Sequence, residues 1–447
     1  MGGQKRRGNK KTRKTLRRTA GWLSLMIIMA LVSACSSSSS EESQPAANTA
    51  APSGAAGSSD SAAKKLETAA PSSEPGGGGG KTDSPPSDKR PPEGRAPGPA
   101  ANQAQAGQLT AGEWNDLRSW DAWLGTLNKP AYSQYLGRWR MYPQQRVTVK
   151  VTDGGQPVID ASVDLQPSGG GQAVWSARTN NRGEAELYVG AFGPHPKDSY
   201  TVGVTSGQAS RKLEAVQLQY RTELAVELTG AAAKPAGTAD LMLVLDTTGS
   251  MADELDYLTA ELANVVERVK SQESGAPLAV RVSVNFYRDH GDDYVLRPFP
   301  FTEEVKEAVR RLEAQTARGG GDTPEAVEEA LEDALLNHQW SESARARLLF
   351  LVLDAPPHGT ENAIAKMGEL ARKAAAMGVR IIPVASSGVD TNTEFLMRSV
   401  AAFSGGTYVF LTNHSGIGGE HADPVTGEYK VEFLNDLMVR VIGEYTK

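Results

Sequence analysis

Apolar strand patterns and amphipathic helix patterns alternate from about residue 238 to the end of the chain. The stretches ADLMLVLD (239–246) and ARLLFLVLD (346–354) are apolar almost throughout, which is typical of strands that are buried on both faces. Helical patterns such as residues 251–272 separate the strands. This alternation predicts an α/β fold, in which helices cover both faces of a doubly wound, mostly parallel sheet.

Three polar stretches lie where the predicted sheet would bind a ligand, which is outside the carboxyl ends of its strands. Asp246 ends one apolar strand and begins the sequence DTTGS, and Asp354 ends another. The glycine-rich stretch GGGDTPE (319–325) lies between two helical patterns. Two acids that end neighbouring apolar strands would repel each other unless a cation lay between them. The sequence therefore predicts a divalent-metal site at this edge of the sheet.

The order and spacing of the three stretches resemble the metal-ion-dependent adhesion site of von Willebrand factor A (VWA) domains, over residues 238–447. The resemblance implies that the hydroxyls of Thr248 and Ser250 bind the cation directly and that Asp246 and Asp354 act largely through waters. Thr323 would offer a third hydroxyl. Mg²⁺ suits this set of oxygen ligands best, with Mn²⁺ or Ca²⁺ as alternatives. The resemblance also implies that a partner protein completes the site with an acidic side chain.

One residue departs from the family pattern. Asp322 precedes Thr323 at a point where many adhesive members of the family have only Gly and Thr. If Asp322 were a ligand, its charge would weaken the capture of an incoming acid. We favour Thr323 over Asp322 as the third metal ligand.

Simpler interpretations of the same sequences stay open. Asp246 and Ser250 would also suit a helix cap, although a cap explains one stretch and not three. The stretch YRDHGDDY (287–294) suits a second metal or a polar hairpin loop, and we favour the loop. Its candidate ligands are His290, Asp292 and Asp293. His358, which follows two prolines, is expected to brace the rim of the site.

Residues 144–230 show the period-two alternation of β-strands. RVTVKVT, GEAELYV, SYTVGV and ELAVEL alternate apolar and polar residues, and turn sequences such as DGGQP and NNRG separate them. Several short strands of this kind predict an antiparallel β-sandwich. The pattern from VTDGGQP to GEAELYV is similar to carboxypeptidase-regulatory-like and collagen-adhesin-B-like modules of bacterial surface proteins. That resemblance implies a stalk or spacer domain.

Residues 108–143 form an aromatic segment with helical signals. Thr110 and Glu113 fit a capping box, and Trp120 and Trp123 lie three residues apart on the predicted helix. An aromatic surface could bind a sugar or a peptide. We favour packing against the next domain.

Residues 1–34 have the pattern of a secretory signal peptide. Nine Lys and Arg residues, without Asp or Glu, precede a mostly apolar stretch (20–34) that is short for a permanent membrane span. LVSAC resembles a bacterial lipobox, which implies cleavage before Cys35 and attachment of lipid, including palmitate, to the protein. An uncleaved signal anchor is the alternative. Residues 35–107 are rich in Ser, Ala, Pro and Gly and predict a disordered linker between the membrane and the folded part.

Charge and motif content narrow the function further. Beyond residue 35 the chain has a net charge near −15, which argues against nucleic-acid binding. Ser250 lacks the G-x-S-x-G elbow of serine hydrolases, and the candidate metal ligands include no His. We expect a non-enzymatic, extracytoplasmic lipoprotein that binds a protein ligand through a divalent cation. A scaffold subunit of a membrane-associated complex in envelope assembly or signalling is the alternative.

Overall fold

The computed structural model of the protein describes residues 104–447 apart from 195–198, 232–236, 272–277 and 322. The predicted signal peptide, Cys35 and the linker up to residue 103 lie outside the described residues. Within them, no helix has both the length and the apolar character that crossing a membrane requires.

The aromatic segment begins with a strand and not with a helix. It comprises β1 (Thr110–Trp114), α1 (Trp120–Leu127) and α2 (Pro130–Trp139). The capping box predicted at Thr110 and Glu113 is therefore wrong. Glu113 instead accepts a hydrogen bond from Arg440 Nη1 at 2.8 Å, and the backbone of β1 pairs with strands from the end of the chain. Pairing across the sheet overrides the local helix signal at this position.

Four large aromatic side chains of this segment are buried. Trp120, Trp123, Tyr132 and Trp139 are each at most 1% exposed. Trp123 and Tyr132 both lie against Phe395, which belongs to the C-terminal α/β domain. Trp120 lies 6.2 Å from Tyr188 of the following β domain, ring centroid to ring centroid. An aromatic ligand-binding surface built on these four residues is thus excluded, and the packing interpretation is confirmed.

The next domain consists of two four-stranded sheets with a common core. Its strands are β2 (Arg146–Asp153), β3 (Gln156–Pro157), β4 (Ser162–Pro167), β5 (Trp175–Arg178), β6 (Glu184–Tyr188), β7 (Tyr200–Ser206), β8 (Ala209–Val216) and β9 (Arg221–Glu227). One sheet has the order β3-β2-β6 with β9 on the free side of β2, and the other has the order β5-β4-β7-β8. Inward-pointing valines and leucines, such as Val149 and Leu165, are fully buried between them.

This domain differs from the prediction in one pairing. β9 runs parallel to β2, whereas every other described pairing within the domain is antiparallel. β8 lies in the opposite sheet, so the chain crosses between the sheets before it enters β9. The crossing brings β9 alongside β2 in the same direction.

A mostly parallel sheet of eight strands forms the C-terminal domain. Its further strands are β10 (Thr238–Asp246), β11 (Ala279–Tyr287), β12 (Leu296–Arg297), β13 (Ala346–Leu353), β14 (Val379–Ala385), β15 (Tyr408–Leu411) and β16 (Glu432–Phe433). The order is β12-β11-β10-β13-β14-β15-β1-β16. The five strands from β11 to β15 in this order are parallel, and the short strands at both edges are antiparallel. β10 and β13, which carry the long apolar runs LMLVL and LLFLVL, lie near the centre of the sheet.

Helices cover both faces of this sheet and confirm the doubly wound α/β fold. They are α3 (Leu255–Lys270), α4 (Val305–Glu313), α5 (Val327–Leu336), α6 (Glu361–Met377), α7 (Thr391–Ser404) and α8 (Leu434–Thr446). α3, α4 and α8 bury one apolar core on one face. α5, α6 and α7 bury a second core, which continues into the β-sandwich through contacts such as the 4.9 Å edge-to-face pair of Phe403 and Tyr188.

α5 begins shortly after the glycine-rich stretch. Pro324 precedes the helix, which begins at Val327. Glu325 forms an isolated parallel bridge with Pro357, which keeps the chain extended beyond the proline. This bridge draws the glycine-rich stretch toward the end of β13, where Asp354 lies.

Candidate metal centre

The two predicted acids lie at the same edge of the sheet. β10 and β13 are parallel neighbours in which Leu245 pairs with Val352, so Asp246 and Asp354 follow at adjacent strand ends. Asp246 is fully buried and Asp354 is 7% exposed. The geometry of a parallel pair thus brings together two carboxyl groups that are 108 residues apart in the sequence.

The loop after β10 turns the hydroxyl groups back toward Asp246. Oδ1 of Asp246 accepts hydrogen bonds from the backbone N of Thr248 at 2.8 Å and from its Oγ1 at 2.6 Å. Thr248 Oγ1 lies 3.1 Å from Ser250 Oγ. Ser250 is exposed, so this row of oxygen atoms leads from the buried carboxylate to solvent.

Each of the two aspartates keeps one buried oxygen without a hydrogen-bond partner. These atoms are Oδ2 of Asp246 and Oδ1 of Asp354. Buried polar atoms are nearly always hydrogen-bonded, and an unpaired buried carboxylate oxygen is costly. A hard divalent cation binds carboxylate and hydroxyl oxygens of this kind, so the residues present fit such an ion.

The raised pKa values of the two aspartates also indicate a site that suits a cation. Burial, together with the charge of Asp354, raises the pKa of Asp246 to about 7. Burial also raises the pKa of Asp354, against the opposing effect of a hydrogen bond with Ser250. Both acids therefore hold their protons more tightly than usual. A positive charge between them would offset the repulsion between the two carboxylates.

The glycine-rich stretch lies directly against the first loop. The backbone N of Gly249 donates to the carbonyl of Gly319 at 3.1 Å. Gly320 has φ +68°, and a Cβ on it would lie 3.4 Å from Cβ of Thr248. Only a residue without a side chain fits this conformation and this close approach easily.

The hairpin loop after β11 supports the glycine-rich stretch. Asp292 accepts a hydrogen bond from the backbone N of Gly320 at 2.9 Å, and a Cβ on Gly319 would collide with the Asp292 carboxylate. Asp292 therefore has a structural role, which supports the hairpin-loop interpretation over a second metal site. In the described part of the chain, no group of three or more His, Cys, Asp or Glu side chains is arranged to hold a metal ion.

The two candidates for the third ligand have different outcomes. Asp322 lies outside the described residues. Thr323 is exposed, and among the described residues its side chain forms no hydrogen bond with Asp246, Thr248, Ser250 or Asp354. The structure thus brings four of the six predicted ligands together and leaves Thr323 at the surface.

Glu325 was missed as a candidate, although it ends the GGGDTPE stretch. Its side chain is 2% exposed, and its backbone N donates to the carbonyl of Pro356 at 3.0 Å. Burial, and then the charges of Asp246 and Asp289, raise the pKa of Glu325 to about 9. The sequence does contain a signal, since Glu325 is an acid only two residues beyond the predicted ligand Thr323. Its inward orientation, however, depends on the bridge to Pro357.

Two histidines brace the rim of the site. His358 Nε2 lies 2.7 Å from Asp289 Oδ1, which agrees with the bracing role expected of it. His421, in the loop after β15, lies 2.7 Å from the buried carboxylate of Glu254. The same loop reaches the site edge through a hydrogen bond from Gly388 N to the carbonyl of Glu420 at 3.3 Å.

Sequence comparison identifies the domain that carries this site. Residues 240–413 match the family model of the von Willebrand factor A domain. The chain contains a VWA domain. All three loops of the candidate metal centre lie within the matched residues, and VWA domains generally mediate protein interactions.

Two curated proteins are similar to part of this chain at low identity. The chain is 25% identical over 213 residues to the alpha-protein kinase vwkA of Dictyostelium discoideum, covering 47% of this chain and 33% of the relative. It is 28% identical over 127 residues to a putative ariadne-like RING finger protein R811 of Acanthamoeba polyphaga mimivirus, covering 28% of this chain and 12% of the relative. The chain thus spans a third or less of the length of these curated relatives.

Two solved structures from Bacteroides are similar to part of this chain. The conserved hypothetical protein BatB from Bacteroides thetaiotaomicron is 14% identical with a TM-score of 0.33, and the match covers 46% of this chain and 98% of BatB. An aerotolerance-related membrane protein from Bacteroides fragilis NCTC 9343 is 14% identical with a TM-score of 0.31, at the same coverage.

Proposed function

We propose that the VWA domain binds a partner protein through a divalent cation held at the ends of β10 and β13. The buried, unpartnered oxygens of Asp246 and Asp354 are the observation that supports this function most strongly. Thr248 and Ser250 would add neutral hydroxyl ligands on the solvent side. Mg²⁺ suits this set best, with Mn²⁺ or Ca²⁺ as alternatives.

The chain's own residues would prepare the site for an outside ligand. Asp246 orients the Thr248 hydroxyl through the 2.6 Å hydrogen bond, and the exposed Ser250 marks the open side of the site. When bound, a divalent cation supplies positive charge and a coordination position for an oxygen atom of the partner. An acidic side chain of the partner is the ligand that we propose for this position.

The charges around the site favour a partner that also carries basic residues. Asp253, Asp293 and Glu420 are exposed near the rim. Asp253 is close enough to contribute to the raised pKa of Asp354, and Glu420 belongs to the loop that contacts Gly388. Lys or Arg side chains beside the acidic group of the partner would complement these carboxylates and speed association.

We further propose that the protein acts outside the cytoplasm as a lipid-anchored component of the cell envelope and is not an enzyme. The location rests on the basic and apolar N-terminal sequence and on the LVSAC motif at Cys35, and the linker of residues 35–107 would provide reach. The non-enzymatic part of the proposal rests on the sequence around Ser250, which differs from the G-x-S-x-G elbow of serine hydrolases, and on a donor set of aspartates and hydroxyls.

Partner capture tests the proposal. The full chain, Asp246→Ala and the control Asp121→Ala, which alters an exposed aspartate of α1, are immobilised and exposed to envelope proteins with Mg²⁺ or with EDTA. We expect at least one protein to bind the wild type and the Asp121 variant only when Mg²⁺ is present, and to be lost with Asp246→Ala. Binding that survives both EDTA and Asp246→Ala would refute a metal-dependent function.

The same experiment separates the alternative function. A scaffold subunit of a membrane-associated complex would co-purify with one fixed membrane partner whether or not Mg²⁺ is present. The extensive burial between the β-sandwich and helices α6 and α7 is the feature that favours a rigid scaffold. A partner retained in EDTA would therefore support the scaffold over the adhesion-type function.

A further inference from the structure

We infer that Glu325 is a direct carboxylate ligand of the cation and takes the place that the family resemblance gives to Thr323. Glu325 has this role only if the proposed metal site exists. A glutamate ligand from the glycine-rich stretch places a negative charge beside the ion, whereas a threonine ligand is neutral.

The backbone fixes Glu325 beside the loop that follows β13. Its N–H donates to the carbonyl of Pro356 at 3.0 Å, and Glu325 and Pro357 form a parallel bridge. Asp354 lies two residues before Pro356 on that loop. The glycine-rich stretch is therefore attached at Glu325, and not at Thr323, to the segment that carries one of the two aspartates.

The Glu325 side chain points toward the hydroxyl loop. The position that a Cβ of Gly320 would occupy lies 3.4 Å from Oε1 of Glu325 and 3.4 Å from Cβ of Thr248. Because residue 320 is a glycine, no side chain stands in this space between the carboxylate and the threonine. The Glu325 carboxylate and Thr248 therefore both lie within contact distance of this point.

Glu325 differs from the other buried glutamates near β10 and α3 in the state of its carboxylate. Glu261 accepts hydrogen bonds from the backbone N atoms of residues 107–109 at 2.8–2.9 Å. Glu254 accepts from Ser387 N and contacts His421. Oε2 of Glu325, by contrast, is buried without a hydrogen-bond partner, a property that it shares with Oε2 of Glu328 and Glu329 in α5. Glu325 is distinguished by the position of its carboxylate beside Gly320. A bound cation supplies the partner that the protein does not.

Thr323 has none of these properties. It is exposed, whereas Glu325 is 2% exposed. If Glu325 binds the ion directly while Asp246 and Asp354 act largely through waters, its carboxylate adds a negative charge to the direct ligands of the ion. The bound ion would then attract an incoming acid less strongly than an ion held mainly by hydroxyls.

Mn²⁺ titration of the full chain tests the assignment. Free Mn²⁺ is measured by its electron paramagnetic resonance signal for the wild type, Glu325→Gln, Thr323→Val and the control Glu369→Gln, an exposed glutamate of α6. Loss of a ligand should weaken Mn²⁺ binding by about tenfold or more in Glu325→Gln. Thr323→Val and Glu369→Gln should stay near wild type. A larger loss in Thr323→Val than in Glu325→Gln would overturn the inference.

Two further variants make each outcome decisive. Asp246→Asn tests the site itself: if it binds Mn²⁺ as the wild type does, the proposed metal site fails, and Glu325 fails with it. If Asp246→Asn loses Mn²⁺ and Glu325→Gln does not, only the role of Glu325 is wrong. Glu325→Asp keeps the charge but shortens the side chain, so a direct ligand predicts weakened binding and a purely electrostatic effect predicts none. Circular dichroism in EDTA confirms that each variant is folded.

Discussion

Replacing Asp246 by Asn should abolish metal binding and at the same time stabilise the metal-free protein. Most substitutions of a fully buried residue destabilise a protein. Here the native carboxylate is the unfavourable group, because it is buried beside Asp354 and one of its oxygens has no partner. The Asn side chain has the same shape, and its oxygen can accept the same two hydrogen bonds from Thr248.

The size of the effect follows from the pKa of Asp246. Its ordinary value is 3.8, and burial with the charge of Asp354 raises it to about 7 in the metal-free protein. A shift of one pKa unit corresponds to about 1.4 kcal/mol, so the ionised carboxylate costs on the order of 4 kcal/mol at pH 8. At pH 5.5 the folded protein holds the proton, and roughly half of that cost remains.

The sign of the pH dependence is fixed by the direction of the shift. The folded protein binds the proton of Asp246 more tightly than the unfolded chain does, so the stability of the metal-free wild type falls as the pH rises from about 4 to about 7. Asn does not titrate. The stabilisation by Asp246→Asn should therefore be larger at pH 8 than at pH 5.5.

Urea unfolding in EDTA, followed by circular dichroism at both pH values, measures this difference. The control is Asp121→Asn, which changes an exposed aspartate and should leave the midpoint unchanged at both pH values. A destabilised Asp246→Asn variant, or a gain that is equal at pH 5.5 and pH 8, would refute the electrostatic account of the site.

Three further predictions concern the site and its support. Mg²⁺ affinity should fall as the pH drops below about 7, because a proton then competes for Asp246; isothermal titration at pH 8 and pH 6 measures this, and a constant affinity would count against it. Gly320→Ala should weaken Mg²⁺ binding and cost about 1 kcal/mol or more, since φ is +68° and the new methyl group meets Thr248; equal affinity in the same titration would contradict this. Arg398→Ala should destabilise the protein by about 3–5 kcal/mol, because the buried Arg398 binds both oxygens of buried Asp116 at 2.6 Å and 2.9 Å; a urea midpoint near wild type would show the pair to be dispensable.

The sequence predicts most of the C-terminal domain because its signals are local. Continuous apolar runs mark β10 and β13, and the acids that end them must meet once the strands are parallel neighbours. The hydroxyls of Thr248 and Ser250 follow from the same loop. The strands and the polar residues at their ends can therefore be predicted from short stretches of sequence.

The errors arise where distant contacts decide the local structure. Thr110 and Glu113 carry a helix-capping signal, yet the free edge of β15 draws them into a strand. The parallel pairing of β9 depends on which sheet β8 joins. Glu325 turns inward because of its bridge to Pro357, which lies 32 residues further along the chain. No local pattern encodes these three contacts.

The third metal ligand is also hard to predict from sequence, because the direction of one side chain depends on a distant contact. Family resemblance selects Thr323, whose neighbour Asp322 lies outside the described residues. The structure instead buries Glu325 beside the hydroxyl loop. A motif identifies the stretch that approaches the ion, but the turn of the backbone determines which of its side chains points there.

Anomalous diffraction from crystals of the protein grown with Mn²⁺ tests the central claim most directly. We expect one strong peak between Asp246 and Asp354, at about 2.0–2.3 Å from the hydroxyl oxygens of Thr248 and Ser250. Crystals of Asp246→Ala grown in the same way should lack it. The absence of a peak from the wild-type site at saturating Mn²⁺, or a peak that persists in Asp246→Ala, would contradict the account.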